Sequence, residues 1–437
     1  MLDSQSGLAE ETEPRRKDVA VIGLGYVGLP LAMEFCEREF SVVGIDTDEG
    51  RLESLRQGHS YVGDVSSERI QWALSEGKLL PSGEYDDIGS ASAIIICVPT
   101  PLTKTRDPDM SYVIDAAERV ARVLRRGQIV ILESTVYPGA TEELIAPLLE
   151  MSGLEAGRDF SLAFSPERID PGNRTHRVAD IPKAVGGVSP SCTDSAAALY
   201  RQVFREVVPM SVREAEMAKL LENTFRAVNI GLVNELAQAC HRMGINIWNV
   251  IDAAKTKPFG FMPFYPGPGL GGHCIPIDPS YLSWRAKAYR ADTAFIDAAD
   301  RVNARMPEYV VERIGALLNE RGKPLKASRI LLLGVAYKRD VADTRESPAL
   351  DILALLTDRG CCVSYHDPHV QILTHAESSW TSCELNAETL SDSDCVVITT
   401  DHAAYDWEWV VRSARLIFDT RNATRAVQGE RSHVVLL

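Results

Sequence analysis

Asp18-Val-Ala-Val-Ile22-Gly23-Leu-Gly25-Tyr26-Val27-Gly28, followed by Ser41-Val-Val-Gly-Ile45-Asp46, decides the fold class. A short β-branched run ends in glycines spaced G-x-G-x-x-G. A helical pattern then continues to about Glu39, and a second apolar run ends in an acid. Strand, glycine turn, helix, strand and terminal acid in that order predict a βαβ unit that binds a dinucleotide. Gly23 makes the tight turn, Gly25 lets backbone amides reach a pyrophosphate, and Gly28 lets helix and strand pack closely. The helix start offers unpaired amides and the positive end of its dipole to the phosphates. Asp46 can accept from the ribose hydroxyls. No arginine directly follows it, which favours NAD over NADP.

Outward from this unit the α/β alternation continues. Ala93-Ile-Ile-Ile-Cys-Val98 reads as a buried strand ending in Pro99-Thr100-Pro101, with Cys97 inside it as core. After a helix at about 111–125, Ile129-Val-Ile-Leu132 ends in Glu133-Ser-Thr135. Phe160-Ser-Leu-Ala-Phe164 runs into Ser165-Pro-Glu167-Arg168. Each strand delivers polar residues at its carboxyl end, where open α/β sheets bind ligands. On pattern alone Glu167 is as readily a capping carboxylate as a functional one.

From Arg213 to about Met243 apolar residues recur at helical spacing through Met217, Leu220, Leu221, Phe225, Val228, Leu232 and Leu236. This predicts one helix of roughly 30 residues, about 45 Å long, suited to joining domains or to dimerisation. Lys219 and Asn223, at i and i+4, share a face of it. The proline- and glycine-rich run Lys257–Gly267 predicts an ordered loop leading to Gly267-Pro-Gly-Leu-Gly271-Gly-His-Cys274-Ile-Pro-Ile-Asp278. Cys274 has two readings at this point: a small packed hydrophobe, or a thiol presented beside glycines that let a ligand approach. A helical region over 279–319 precedes a turn at Arg321-Gly-Lys-Pro-Leu. A second α/β alternation follows, with strands at 329–333, 361–365, 394–399 and 415–418. It lacks G-x-G-x-x-G but places Lys338 and Arg421 at strand ends, where an anion could be held.

The predicted architecture is therefore α/β: two Rossmann-like doubly wound domains joined by a long-helix central domain. The expected divisions are a flexible tail 1–16, an NAD-binding domain 17–212, a central helical domain 213–322 carrying the cysteine loop, and a C-terminal domain 323–437. Composition, 45% hydrophobic and 24% charged, is that of a soluble globular protein. A net charge of −15 argues against a nucleic-acid partner. No apolar run is long enough to span a membrane, and no signal peptide is visible at the start. Nine cysteines without a CxxC pair read as reduced thiols, which predicts a cytoplasmic protein. No metal is expected, since no cysteine and histidine spacing suits one and His366-Asp-Pro-His369 alone is weak.

Seven motifs in order resemble the NAD-dependent nucleotide-sugar 6-dehydrogenases, the UDP-glucose/GDP-mannose dehydrogenase family. They are Gly23-x-Gly25-Tyr-Val-Gly28, Cys97-Val-Pro-Thr-Pro101, Glu133-Ser-Thr135, Ser165-Pro-Glu167-Arg168, Lys219-x-x-x-Asn223, Gly271-Gly-His-Cys274-x-x-x-Asp278 and Lys338-x-x-x-x-Asp343-Thr-Arg345-Glu-Ser. Together they run from about Lys17 to about Arg425. The resemblance implies oxidation of a primary alcohol at C6 to a carboxylate, in two hydride transfers to two NAD⁺. It implies Asp278 as base through a water, Cys274 as nucleophile forming a thiohemiacetal and then a thioester, and Lys219 with Asn223 at the oxyanion. Glu167 and Thr135 would position the hydrolytic water. The expected cofactor contacts are Gly23, Gly25, Tyr26, Val27, Gly28, Asp46, Arg51, Pro99, Thr100 and Thr135, with Arg345 reaching from the C-terminal domain. The expected substrate contacts are Glu167, Arg168, Lys219, Phe264, Tyr265, Gly271, Lys338 and Arg421. A homodimer or higher homo-oligomer is expected through the long helix.

One departure bears on the branch. Where the UDP-glucose enzymes carry a second glutamate, this chain has Pro171, within Glu167-Arg-Ile-Asp-Pro-Gly-Asn173. That version and the 257–267 loop resemble the UDP-N-acetylglucosamine branch more, while UDP- or dTDP-glucose stays open. Two other readings compete. A two-electron hydroxyacid-type dehydrogenase has no use for Cys274, and an inactive sugar-nucleotide binder need not keep a nucleophile.

Overall fold

Val19–Ile22 forms strand β1 with all four side chains at most 1% exposed. An unbroken apolar run suits a strand covered on both faces of a parallel sheet. The computed structural model describes residues 18–103, 105–169, 177–272, 274–375 and 378–437. The expected tail 1–16 and the branch-marking Pro171 and Asn173 lie outside the described residues. The chain forms two compact units, one of residues up to Thr100 with Asp109–Lys219, the other of Pro101–Pro108 with Leu220–Leu437.

In the first unit β1 is followed by β2 (Val42–Ile45), β3 (Leu79–Ser82), β4 (Ala93–Ile96), β5 (Ile129–Leu132), β6 (Ser161–Phe164), β7 (Lys183–Gly187) and β8 (Val207–Ser211). They make one sheet in the order β3-β2-β1-β4-β5-β6-β7-β8, parallel throughout except between β6 and β7. Ile22, Ile96, Leu132 and Phe164 stand in register, so four strand ends open along one edge. The chain reverses direction of addition between β1 and β4, and such a switch point leaves a crevice at the carboxyl ends. The β4 strand stops at Ile96, two residues short of the sequence expectation. Cys97 is still buried, and that burial pushes its thiol well above the usual range.

The long helix is continuous from Val212 to Arg242, 31 residues. The second unit also carries helices Asp278–Ala288, Ala294–Ala304 and Met306–Asn319, which divide the helical region expected over 279–319. Its sheet is built from β9 (Arg329–Leu333), β10 (Cys362–His366), β13 (Cys395–Ile398), β14 (Ile417–Asp419) and β15 (Val434–Leu436). The strand order is β10-β9-β13-β14-β15, all parallel. A separate hairpin pairs β11 (Ile372–His375) with β12 (Ser378–Thr381). Val310, Ile314 and Leu317 of the helix 306–319 pack with Ile330, Leu332 and Leu353 into the core beneath this sheet. Its switch point lies between β9 and β13, beside Gly334–Lys338 and Thr399–Asp401.

Candidate active site

Three properties of the β1 turn suit a pyrophosphate. Gly23 has φ +90°, and a Cβ there would sit 2.7 Å from the Cys97 carbonyl, so only glycine fits. A Cβ on Gly28 would lie 1.8 Å from the Gly23 carbonyl oxygen, whereas one on Gly25 would meet nothing within 4 Å. Helix Gly28–Glu37 has no side-chain cap at Val27, and although the Leu29 amide donates to the Gly25 carbonyl at 3.2 Å, the positive end of the helix dipole lies beside this turn. Asp46, 6% exposed, accepts from the amides of Leu24 and Asp48, each at 2.9 Å. Arg51 reaches its Oδ2 at 3.4 Å. A carboxylate has about four lone-pair sites, so these contacts orient it and leave acceptor capacity. Thr100 is buried and Pro99 exposed beside this crevice.

The ends of β5 and β6 hold a buried charge cluster. The carboxylate of Glu167 accepts from the Ile169 amide, and its Oε2 lies 3.4 Å from Lys219 Nζ. Lys219 also donates to the Glu167 carbonyl at 2.7 Å. Burial pushes the Glu167 carboxyl above the usual range, opposed first by Lys219 and then by Lys183. A carboxyl so raised is a better proton acceptor near neutrality. Thr135 is half-buried two residues after Glu133. Arg168 donates from its guanidinium to the Pro182 carbonyl at 2.8 Å.

Glu216, unmarked in the sequence reading, anchors this region from the long helix. It is fully buried and accepts from Gly139 N at 2.5 Å, Thr141 N at 2.9 Å and Thr141 Oγ1 at 2.7 Å. Burial outweighs those three donors and holds its carboxyl at about 7, up from 4.5. The folded state therefore binds this proton more tightly than the unfolded chain. Its contribution is present in full below about 4.5 and is lost as pH rises through about 7. Glu216→Gln, neutral throughout, should flatten that part of the stability curve. Thermal melts from pH 5 to 8 should show the wild-type advantage over the variant shrinking by up to roughly 3 kcal/mol. A constant difference would show that Glu216 is ionised throughout.

In the second unit the cysteine loop is pinned at its start and its end. Asn234, fully buried on the long helix, accepts from Gly267 N at 2.9 Å and donates to Asn303 at 2.9 Å. Gly272 donates to the Arg345 carbonyl at 3.0 Å. Side chains at Gly271 and Gly272 would collide with Tyr337, at 2.7 and 2.8 Å. Cys274 is half-buried, and its carbonyl accepts from the amides of Ile277 and Asp278 at 3.1 and 2.9 Å. Cys274 and Asp278 are thus one turn apart, with Asp278 the first residue of helix Asp278–Ala288. The Asn223 amide donates to the Asp278 carboxylate, which is 2% exposed. Phe264 packs on Phe225 with ring centroids 5.6 Å apart, and Tyr265 stacks on Trp248 at 5.7 Å.

Arg421 gives Nε to the Thr399 carbonyl at 2.8 Å, and its Nη1 lies 2.7 Å from where a Gly267 Cβ would stand. The cation at the end of β14 therefore borders the cysteine loop. Burial pushes its guanidinium below the usual range. Lys338 is half-buried past the end of β9. Arg345 makes a two-pronged pair with Asp343, Nη2 to Oδ2 at 2.6 Å. Among the described residues, Asp340, His369 and His402 could offer three metal ligand atoms within 4.8 Å. His402 Nδ1, however, accepts from the Asp340 amide at 2.9 Å, which leaves its proton on Nε2, 3.0 Å from Asp367. Both ring nitrogens are spent, and His402 acts as a pin between strand ends.

Profiles of the UDP-glucose/GDP-mannose dehydrogenase family match three consecutive stretches: the NAD-binding domain at residues 17–204, the central domain at 213–305 and the UDP-binding domain at 331–426. The chain belongs to this family. It is 41% identical over 355 residues to UDP-N-acetyl-D-glucosamine 6-dehydrogenase of Pseudomonas aeruginosa, covering 80% of this chain and 83% of that one. It is 36% identical over 411 residues to UDP-N-acetyl-D-mannosamine dehydrogenase of Pyrococcus horikoshii, covering 92% and 95%. The solved structure of a Pyrococcus horikoshii UDP-D-ManNAc dehydrogenase superposes with a TM-score of 0.87 at 34% identity, over 96% of this chain and 98% of that one. The chain is therefore an NAD-dependent oxidoreductase with a sugar-nucleotide-binding domain. The β1 turn fits that cofactor: the glycine cradle is open above Gly25, and the carboxylate at the end of β2 is in place. No helix among the described residues is long and apolar enough to cross a membrane.

Proposed function

We propose that this enzyme oxidises C6 of a UDP-linked 2-acetamido sugar, UDP-N-acetylglucosamine first, to the uronic acid without releasing the aldehyde. UDP- or dTDP-glucose is the second reading. The observation that carries the chemistry is the turn joining Cys274 to Asp278, with Asn223 donating to the Asp278 carboxylate. A nucleophile, a carboxylate and an amide donor are gathered there in one unit. The names of the two curated relatives favour an acetamido sugar.

When bound, NAD⁺ accepts the hydride leaving C6, once at the alcohol and once at the thiohemiacetal. In the first stage Asp278 takes the hydroxyl proton through a water. The Cys274 thiolate then adds to the aldehyde carbon, and the new alkoxide takes a proton to give a thiohemiacetal. Loss of that proton and of the C6 hydride leaves a thioester. Water directed by Glu167 and Thr135 breaks the C–S bond, releasing the carboxylate and the thiol. Lys219 and Asn223, four residues apart on one helix, are assigned to the oxyanion of the tetrahedral species. Phe264, Tyr265, Gly271, Lys338 and Arg421 are assigned to the sugar nucleotide, and Arg345 to the cofactor.

The test is stoichiometry across UDP-N-acetylglucosamine, UDP-N-acetylmannosamine, UDP-glucose and dTDP-glucose. The expected result is two NADH per sugar, carboxylate as the released product, and the highest kcat/KM on UDP-N-acetylglucosamine. One NADH per sugar, or free aldehyde, would sink the four-electron reading. The domain roles, 17–212 for NAD, 213–322 for the cysteine loop and 323–437 for the sugar nucleotide, belong to the same proposal. So does dimerisation through the long helix, where Leu221, Phe225, Leu232 and Leu236 are 43–58% exposed. A solution mass near one chain's 48.0 kDa would refute it.

A further inference from the structure

Behind Glu167 lies a buried ion pair that none of the steps above uses. Lys183 Nζ on β7 lies 2.8 Å from Glu133 Oε2 at the end of β5, and the Tyr200 hydroxyl donates to Glu133 Oε1. Exposures are 6% for Lys183, 2% for Glu133 and 0% for Tyr200. The Lys183 ammonium also sits 5.3 Å from the Tyr200 ring centroid and 5.4 Å from that of Phe204. A buried ion pair is a poor device for stability alone, since apolar residues of similar volume do as well or better. Its geometry suggests another use. Lys183 Nζ approaches the Pro166 carbonyl at 3.5 Å, and Lys219 Nζ donates to the Glu167 carbonyl at 2.7 Å. Two consecutive carbonyls of the Ser165–Glu167 turn thus end on two buried ammonium groups, one from β7 and one from the long helix.

We infer that Lys183 is a positioning residue. Held by Glu133 and two aromatic rings, it fixes the Pro166–Glu167 turn and supplies the second positive charge facing the Glu167 carboxylate. This rests on the reading of Glu167 as the group that directs the hydrolytic water. The groups facing Glu167 are Lys219 from the long helix, Lys183 from β7, Glu133 just past the end of β5 and Cys97 just past the end of β4, the thiol kept neutral by its burial. Lysine charges favour the ionised carboxylate and Glu133 disfavours it.

The experiment is the pH dependence of kcat for carboxylate release, with KM followed alongside. Lys183→Met should move the acid limb up by roughly one pH unit, by removing one of two facing cations. Glu133→Gln should move it down, because the ammonium keeps its rings and the Pro166 carbonyl while losing its counter-charge. Lys183→Met/Glu133→Gln should lie between wild type and Lys183→Met, and KM should change little in all three. Displacement in opposite directions cannot come from loosened packing, which would move both single variants alike. Shifts in the same direction, or none, overturn the inference. If the unpaired Glu133 prevents Lys183→Met from folding, the double variant carries the test, and an acid limb at the wild-type position counts against it. Glu167→Gln separates the two readings. If it keeps the acid limb, the role of Glu167 falls and this inference with it. If it removes the limb while the Lys183 and Glu133 variants leave theirs in place, only the inference falls.

Discussion

Cys274→Ala is expected to stop carboxylate formation, lowering kcat on the order of 10³-fold or more, while sugar-nucleotide affinity changes less than about threefold. An aldehyde carbon gives up hydride only after a nucleophile has added to it, and the proposed nucleophile is this thiol. The backbone should tolerate the change, because the turn is held through the Cys274 carbonyl. The first oxidation needs no thiol, so the variant should release one NADH and free aldehyde. Acid produced at the wild-type rate would remove Cys274 from the mechanism. Alkylation gives an independent check. Six of the nine cysteines are buried, Cys274 and Cys383 are half-buried and Cys362 is exposed. Peptide mapping should show Cys274 protected by sugar nucleotide, with Cys362 reacting equally in both conditions.

The dinucleotide unit was legible because its chemistry is local: glycines, one helix start and one acid lie within a single βαβ unit. The Gly23 turn, the uncapped helix at Gly28 and Asp46 lie where the spacing placed them. The long helix was legible for a similar reason, since its periodicity persists over 31 residues. Strands β7 and β8 were not read, and their composition explains why. Gly186 and Gly187 end the first and Pro209 interrupts the second, so neither shows a β-branched run. Lys183, Glu216 and Asn234 were missed for a further reason. Each is a polar residue buried against a partner 33 or more positions away, as in Lys183–Glu133, Glu216–Thr141 and Asn234–Gly267. Periodicity records which face is apolar, and a polar residue on that face reads as noise until its partner is known. For Glu216 a signal was present: it lies four residues after Val212 and four before Leu220, on the face that those apolar residues bury. Arg345 shows the converse limit: the motif marks it, and the fold ties it to Asp343.

Lys219→Met is expected to lower kcat by about 10²–10³, the loss of roughly 3–4 kcal/mol that follows removal of one oxyanion donor. The geometry makes the source of that loss a real question. Lys219 Nζ already donates to the Glu167 carbonyl and pairs with its carboxylate. Removing it would loosen Glu167 and, with the largest opposing charge gone, let burial push that carboxyl higher still. Part of the defect would then belong to hydrolysis of the thioester. The two contributions fall at different steps. Glu167 is proposed to act only after the thioester has formed, so Glu167→Gln should leave the first burst of NADH intact and slow later turnovers. An oxyanion donor acts wherever an alkoxide is held, the first hydride transfer included. Lys219→Met should therefore slow the burst as well, and combining it with Glu167→Gln should give a defect larger than Glu167→Gln alone. A burst of normal rate in Lys219→Met, with a double variant no worse than Glu167→Gln, would confine Lys219 to supporting that glutamate. The oxyanion would then be left to Asn223, whose amide reaches the Asp278 carboxylate on the other side of the same reaction.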